Sequence, residues 1–87
     1  MRKVFDIYPI KGEINIPREK LLNCCFCFTI EPSTTYDIEI MLDFIAPFIR
    51  SIEWGYYLYD RESGYLDYFK TKESLKVELI NSLIHEL

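Results

Sequence analysis

The chain has 87 residues, of which 49% are hydrophobic and 28% charged, and its net charge is −4. This hydrophobic content excludes a disordered chain, and an acidic balance without a lysine and arginine cluster argues against nucleic acid as a partner. No apolar run reaches the ~18 residues that a membrane span needs, and residues 1–4 do not begin a secretory signal. We therefore expect one domain over residues 1–87, located in the cytoplasm and not at a membrane, with its three cysteines reduced.

The first segment is strand-like but contains a proline. Apolar residues recur from Lys3 to Ile10, and Pro9 weakens the end of this run. Because proline is tolerated at sheet edges and bulges, the strand is predicted to lie at an edge, or to turn into a second short strand from Glu13 to Ile16. Pro17 fits the first position of a helical turn.

Leu22 to Glu31 form the clearest predicted buried strand. Strand alternation gives one fully apolar face, made of Cys24, Phe26, Phe28 and Ile30. It gives a second face of small or polar residues, made of Cys25, Cys27, Thr29 and Glu31. This pattern is typical of a central strand that is thinly covered on its second side.

Two helices are predicted in the rest of the chain. Thr34 or Thr35 can cap a helix from Tyr36 to Ile52, which Pro47 is expected to kink, or to end with another turn following. Thr71 can cap the last helix. One stripe of that helix is apolar and holds Leu75, Leu79, Ile80, Leu83, Ile84 and Leu87.

An aromatic-rich β-hairpin, residues 54–69, separates the two helices. Rings occupy both phases of its alternation, whereas an antiparallel strand usually has one wet face, so we predict that the second face binds something. A loop of Arg61 to Gly64 would pair Tyr57 with Tyr68. A three-residue loop with Gly64 in the left-handed conformation would instead pair Tyr57 with Phe69, and this register is favoured because it places glycine where positive φ is needed. This register places Tyr57, Tyr59, Arg61, Tyr65, Asp67 and Phe69 on one face and Tyr56, Leu58, Leu66 and Tyr68 on the other, and the sequence leaves open which face is the inner one.

The order of elements predicts an α+β domain. We expect a small antiparallel or mixed sheet of four to five strands, with two helices packed on one face.

Two features invite a chemical function. Three cysteines within four positions, Cys24, Cys25 and Cys27, suit a thiophilic metal, but the strand alternation separates them and no second ligand pair follows. His85 is the only histidine, and its position in the last helical turn is favourable against the helix dipole without any catalytic role. We therefore expect no metal, no cofactor and no enzymatic activity, although a small enzyme or metal-binding module remains an alternative.

Acidic residues and tyrosines together point to protein binding. Tyrosine supplies a rigid amphipathic anchor and carboxylates attract a basic surface. The predicted partner-binding residues are Tyr57, Tyr59, Asp60, Glu62, Tyr65 and Asp67 on the hairpin, and Asp37, Glu39 and Asp43 on the first helix. The leading hypothesis is a stoichiometric inhibitor or immunity-type protein that occludes a basic partner such as a nuclease toxin or defence enzyme. The alternative is a structural or regulatory homodimer that uses the aromatic hairpin as its interface.

Overall fold

The fold is a four-stranded antiparallel sheet with helices on one face. The computed structural model describes residues 3–12, 17, 19–21 and 26–86, with only the backbone for 85–86. The elements in chain order are β1 (Phe5–Lys11), β2 (Phe28–Ile30), α1 (Thr35–Ile45), a 3-10 turn (Ala46–Phe48), β3 (Trp54–Asp60), β4 (Leu66–Phe69) and α2 (Lys72–Glu86). The strand order is β2-β1-β3-β4, and all neighbouring pairs are antiparallel. The predicted α+β class is confirmed.

The edge and interior positions predicted for the first two strands are reversed in the structure. β1 lies in the interior of the sheet and pairs with β3 along its whole length, so its predicted edge position is wrong. Its pairing with β2 covers only Phe5 to Ile7, and Pro9 therefore lies beyond the last residue that β2 contacts. Proline is tolerated there because its missing amide costs no ladder hydrogen bond on that side.

The predicted central strand is instead a short edge strand. Of the described residues in this segment, 26–31, only Phe28–Ile30 has strand pairing, and Phe26 and Cys27 precede it as exposed, irregular chain. The alternation itself is correct where it can be compared, since Phe28 and Ile30 pack in the main core and Thr29 lies on the opposite face. Residues 22–25 and the predicted strand at 13–16 lie outside the described residues.

The predicted capping residues and Pro47 lie at the ends of the helices. Thr34 caps α1 and forms a capping box with Asp37, in which each side chain accepts a hydrogen bond from the other residue's backbone amide. Pro47 ends the helix at Ile45, and the 3-10 turn follows, which is the second of the two predicted outcomes. Thr71 accepts a hydrogen bond from the Ser74 amide at the start of α2.

The main core lies between the sheet and the two helices. Its fully buried members include Phe5, Ile7, Ile38, Leu42, Leu75 and Leu79. The predicted apolar stripe of α2 holds as far as Leu83, which packs at the margin of this core. Ile84, which was predicted to belong to this stripe, is instead exposed. Leu87 lies outside the described residues.

A second, smaller core lies on the opposite face of the sheet. Tyr8, Leu21 and Tyr57 are buried there, with Ile10, Tyr59 and Leu66 packed around them. Leu21 comes from a helical turn at residues 19–21, whose first hydrogen bonds run to the carbonyl of Pro17 as predicted. The second face therefore meets the chain's own residues.

The hairpin adopts the register that we did not favour. Tyr57 lies opposite Tyr68 and Tyr59 opposite Leu66, around a four-residue loop of Arg61 to Gly64. Gly64 does have positive φ, at 75°, but at the last position of the longer loop. A one-residue change of register moves every β4 side chain to the other face, so Asp67 and Phe69 lie on the helix side.

Candidate functional site

The hairpin turn is held by the side chain and backbone of Asp60. Its carboxylate accepts hydrogen bonds from the backbone amides of Glu62 and Ser63, at 2.9 and 3.4 Å. The Asp60 amide donates to the carbonyl of Tyr65, and its carbonyl accepts from the amide of Gly64. This Asx-type turn selects the four-residue loop, since an aspartate that bonds its own following amides closes a type I turn.

An acidic cleft opens between this turn and α2. Its volume is about 380 Å³, and its apolar floor consists of Phe5 and Leu58. The polar residues that line it are Lys3, Asp60, Ser63, Tyr65, Asp67, Glu78 and Ser82. Three of the predicted partner-binding residues, Asp60, Tyr65 and Asp67, therefore meet at one place. Glu78, which the sequence analysis did not single out, completes the acidic lining.

The three carboxylates of the cleft differ in whether a cationic side chain lies beside them. Lys3 approaches Asp60 to 3.4 Å, and both side chains are largely buried. Burial raises the pKa of Asp60, but the amides of Glu62 and Ser63 and the charge of Lys3 outweigh it and hold that pKa below the ordinary value. Asp67 and Glu78 form no ion pair with the residues that the structure describes. The cleft thus presents two carboxylates that are free to accept hydrogen bonds from a cationic group.

The acidic residues of α1 are engaged elsewhere. Lys76 of α2 donates a hydrogen bond to Glu39, and Lys72 donates to Asp43 at 2.9 Å. Asp37 accepts hydrogen bonds from Ser33 and Thr34, which hold its pKa below the usual value. These predicted partner-binding residues therefore stabilise a helix start and the contact between the two helices, away from the cleft.

The hairpin tyrosines divide between the interior and the surface. Tyr57, a predicted partner-binding residue, is only 5% exposed because its ring packs against Tyr68, with centroids 4.9 Å apart, and against the second core. Tyr59 is half-buried beside the same core. Tyr65 is 66% exposed at the mouth of the cleft, and Glu62 is exposed on the turn. Of the three predicted partner-binding tyrosines, Tyr65 is thus the most exposed.

One ionic cluster was missed by the sequence analysis. Asp6 lies in the middle of β1, is 2% exposed, and accepts two hydrogen bonds of 2.9 Å from Arg61 and one of 2.7 Å from Thr29. Burial opposes the charge of Asp6, but these hydrogen bonds and the Arg61 charge lower its pKa. The available signal was a charged residue in phase with Tyr8 and Ile10, where strand alternation demands a partner.

The cysteines and the histidine acquire no chemical site from the described residues. Although the Cys27 residue is exposed, partial desolvation of its thiol raises the pKa, and the Asp6 charge beside it adds to that effect. Cys24, Cys25 and the side chain of His85 lie outside the described part of the chain. Within that part, no group of three or more potential ligands could hold a metal ion. No described helix is both long enough and apolar enough to cross a membrane.

Comparisons with models of known protein families, with curated proteins and with solved structures find no match to this chain.

Proposed function

We propose that the protein is a small binding module that inhibits a basic partner stoichiometrically. In this complex, a cationic side chain of the partner binds in the acidic cleft. The proposed partner is a protein whose function requires a positively charged surface, such as a nuclease toxin or a defence enzyme that contacts phosphates. The protein would act by occlusion and perform no chemistry of its own.

The observation that carries the proposal is the composition of the cleft. Three carboxylates and three hydroxyls surround an apolar floor, and only Asp60 has a lysine beside it. A guanidinium or ammonium group would find acceptors in Asp67 and Glu78 and would leave its alkyl stem on Phe5 and Leu58. Tyr65 also lines the cleft and is exposed, so its ring is available for a cation–π contact with the same group.

The charge of the whole chain supports the same partner class. A net charge of −4 attracts a basic protein over long range, and this attraction mainly accelerates association. A buried tyrosine contact instead slows dissociation. The cleft therefore combines steering residues, Asp67 and Glu78, with an anchor, Tyr65.

The test compares two charge-matched double variants. Asp67→Lys with Glu78→Lys reverses the cleft, whereas Glu31→Lys with Glu53→Lys makes the same change at exposed positions outside it. Wild-type protein is immobilised, partners from the native host are identified by mass spectrometry, and binding rates are measured for each variant with the recovered protein.

We expect the cleft variant to lose most of its association rate and its salt dependence, while the control retains capture of the partner. Tyr65→Ala should dissociate faster, by about 2 kcal/mol or roughly 30-fold if the ring is a hot spot. An equal loss of association rate in both double variants would mean that the effect depends on net charge and not on the cleft. Unchanged rates in the cleft variant, with circular dichroism intact, would refute the proposal.

A further inference from the structure

A surface of exposed rings lies at the edge of the sheet farthest from the cleft. Tyr36, Ile40 and Phe44 follow one another at four-residue intervals on the outward side of α1. Phe44 contacts Phe28 of β2, with ring centroids 6.0 Å apart. Residues spaced by four share one helix face, so these side chains form a continuous stripe that reaches the sheet edge.

The same surface continues past β2. The ring of Phe28 lies 4.9 Å from Phe48, and Phe48 lies 5.8 Å from Phe26. We call the set Phe26, Phe28, Tyr36, Ile40, Phe44 and Phe48 the edge surface. Its four most exposed members, Phe26, Tyr36, Ile40 and Phe44, are between 51% and 67% exposed.

The outer edge of β2 has no strand partner among the described residues. β2 stands at the end of the strand order and pairs only with β1 among the described strands. Its three residues, Phe28 to Ile30, carry no charge that would oppose the approach of another strand. The other edge strand, β4, has the exposed Asp67 in its middle, which is a common protection against strand addition.

We propose that the edge surface is the interface of a homodimer, in which β2 pairs antiparallel with β2 of a second copy. Centred on Thr29, this pairing places Phe28 opposite Ile30 of the partner subunit, so the contact is self-complementary and the paired strand residues are uncharged. The two-fold axis runs perpendicular to the joined sheet. It therefore brings the α1 helices of both copies to the same side, with their outward stripes facing each other.

The exposed area agrees with what a stable dimer requires. At about 200 Å² for each aromatic side chain, three rings exposed by about two-thirds supply roughly 400 Å² of apolar surface, and Ile40 adds to it. A standard interface covers about 800 Å² on each partner, of which somewhat more than half is apolar. A patch of roughly 400 Å² is within the range of the largest apolar patch on a typical monomer, and such patches are often functional.

The dimer leaves the acidic cleft accessible. β2 and β4 are opposite edges of the sheet, and the cleft lies beside the β3–β4 turn and α2. Dimerisation through β2 and recognition of a basic protein are therefore independent properties, and either can fail without the other.

The test measures molar mass in solution by light scattering during gel filtration, over a range of micromolar concentrations. Wild-type protein should have twice the chain mass of 10.5 kDa. The variant Ile40→Lys with Phe44→Glu should have the mass of one chain. The matched control, Val77→Lys with Ile84→Glu, changes two equally exposed apolar residues of α2, at 58% and 60%, and should remain dimeric.

Hydrogen exchange of the unmodified protein supplies a second measurement. Among residues 28–30, the backbone amide that points away from β1 should become better protected as the protein concentration rises, while the amides of β4 should not change. A monomeric wild-type protein at every concentration would overturn the proposal. A dimer that persists in the α1 variant, or protection that rises at β4 instead of β2, would equally overturn it by moving the interface elsewhere.

Discussion

Arg61 in the hairpin turn reaches back over the sheet and binds both carboxylate oxygens of Asp6, with two hydrogen bonds of 2.9 Å. The two residues are 55 positions apart in the chain, and the pair ties the loop that lines the cleft to the central strand. Asp6 is buried and Arg61 is half-exposed. Loss of the guanidinium would therefore leave a buried carboxylate without its partner, whereas loss of the carboxylate would leave Arg61 in contact with water.

The first prediction concerns the geometry of this pair. Asp6→Ala should lower the free energy of unfolding by roughly 1.5–3 kcal/mol, since hydrogen bonds to a buried charge are lost. Arg61→Lys keeps the charge but loses the two-pronged contact, so its stability should fall between those of wild type and Arg61→Ala. Urea unfolding of both single variants and the double variant measures the coupling. Additive effects of Asp6→Ala and Arg61→Ala would show that the pair contributes nothing.

The second prediction is the pH dependence of the same contact. The pKa of Asp6 is lower in the folded chain than in the unfolded chain. Its contribution is therefore complete above the ordinary aspartate pKa of about 3.9 and is lost as the pH falls through the lower folded value. The stability difference between wild type and Asp6→Asn should be constant near neutral pH and shrink on acidification below about pH 4. A difference that grows on acidification would reverse the assigned direction.

The third prediction uses the close approach of Tyr68 to two glycines. A Cβ at Gly12 would lie 2.5 Å from the Tyr68 hydroxyl, while a Cβ at Gly55 would also lie 2.8 Å from the backbone carbonyl of Phe69. Gly55→Ala should cost about 1–3 kcal/mol, as overpacking typically does. Truncating Tyr68 to Ala should relieve the cost of Gly12→Ala but only part of the cost of Gly55→Ala, because a backbone atom cannot rotate away.

These glycine variants are checked by thermal unfolding of the single and double variants. Gly64→Ala is a separate control. It has open space around it and should cost about 1 kcal/mol through its positive φ alone, whether or not Tyr68 is present. Full rescue of Gly55→Ala by the Tyr68 truncation would contradict the assigned contact with Phe69.

The fourth prediction concerns the main core. Leu79 is fully buried where α2 meets the sheet, so Leu79→Ala should reduce the free energy of unfolding by about 2–5 kcal/mol. Val77→Ala, two positions away on the exposed side of the same helix, should change it by less than about 0.5 kcal/mol. Denaturant unfolding of both variants provides the comparison. Similar losses at the two positions would mean that α2 is rotated about its axis.

The sequence alone determined the features that depend on neighbouring residues. Thr34 and Asp37 specify a helix start because their side chains bond amides within the same turn. Pro47 ends α1 because it lacks an amide and its ring clashes with the preceding turn. The apolar stripe through Leu75 and Leu79 follows from the helical period, and the α+β class follows from the order of such elements.

Only the tertiary structure decided how these elements are arranged. Periodicity indicates that a segment is a strand but does not give its neighbours, so β1 and β2 were assigned each other's positions. The hairpin register depended on the hydrogen bonds of Asp60 in the turn, and a shift of one residue moved Asp67 to the cleft side. The free carboxylates, Asp67 and Glu78, differ from Glu39 and Asp43 only in what lies across from them. Composition counts charges and rings, but distant residues decide which of them reach the surface unpaired.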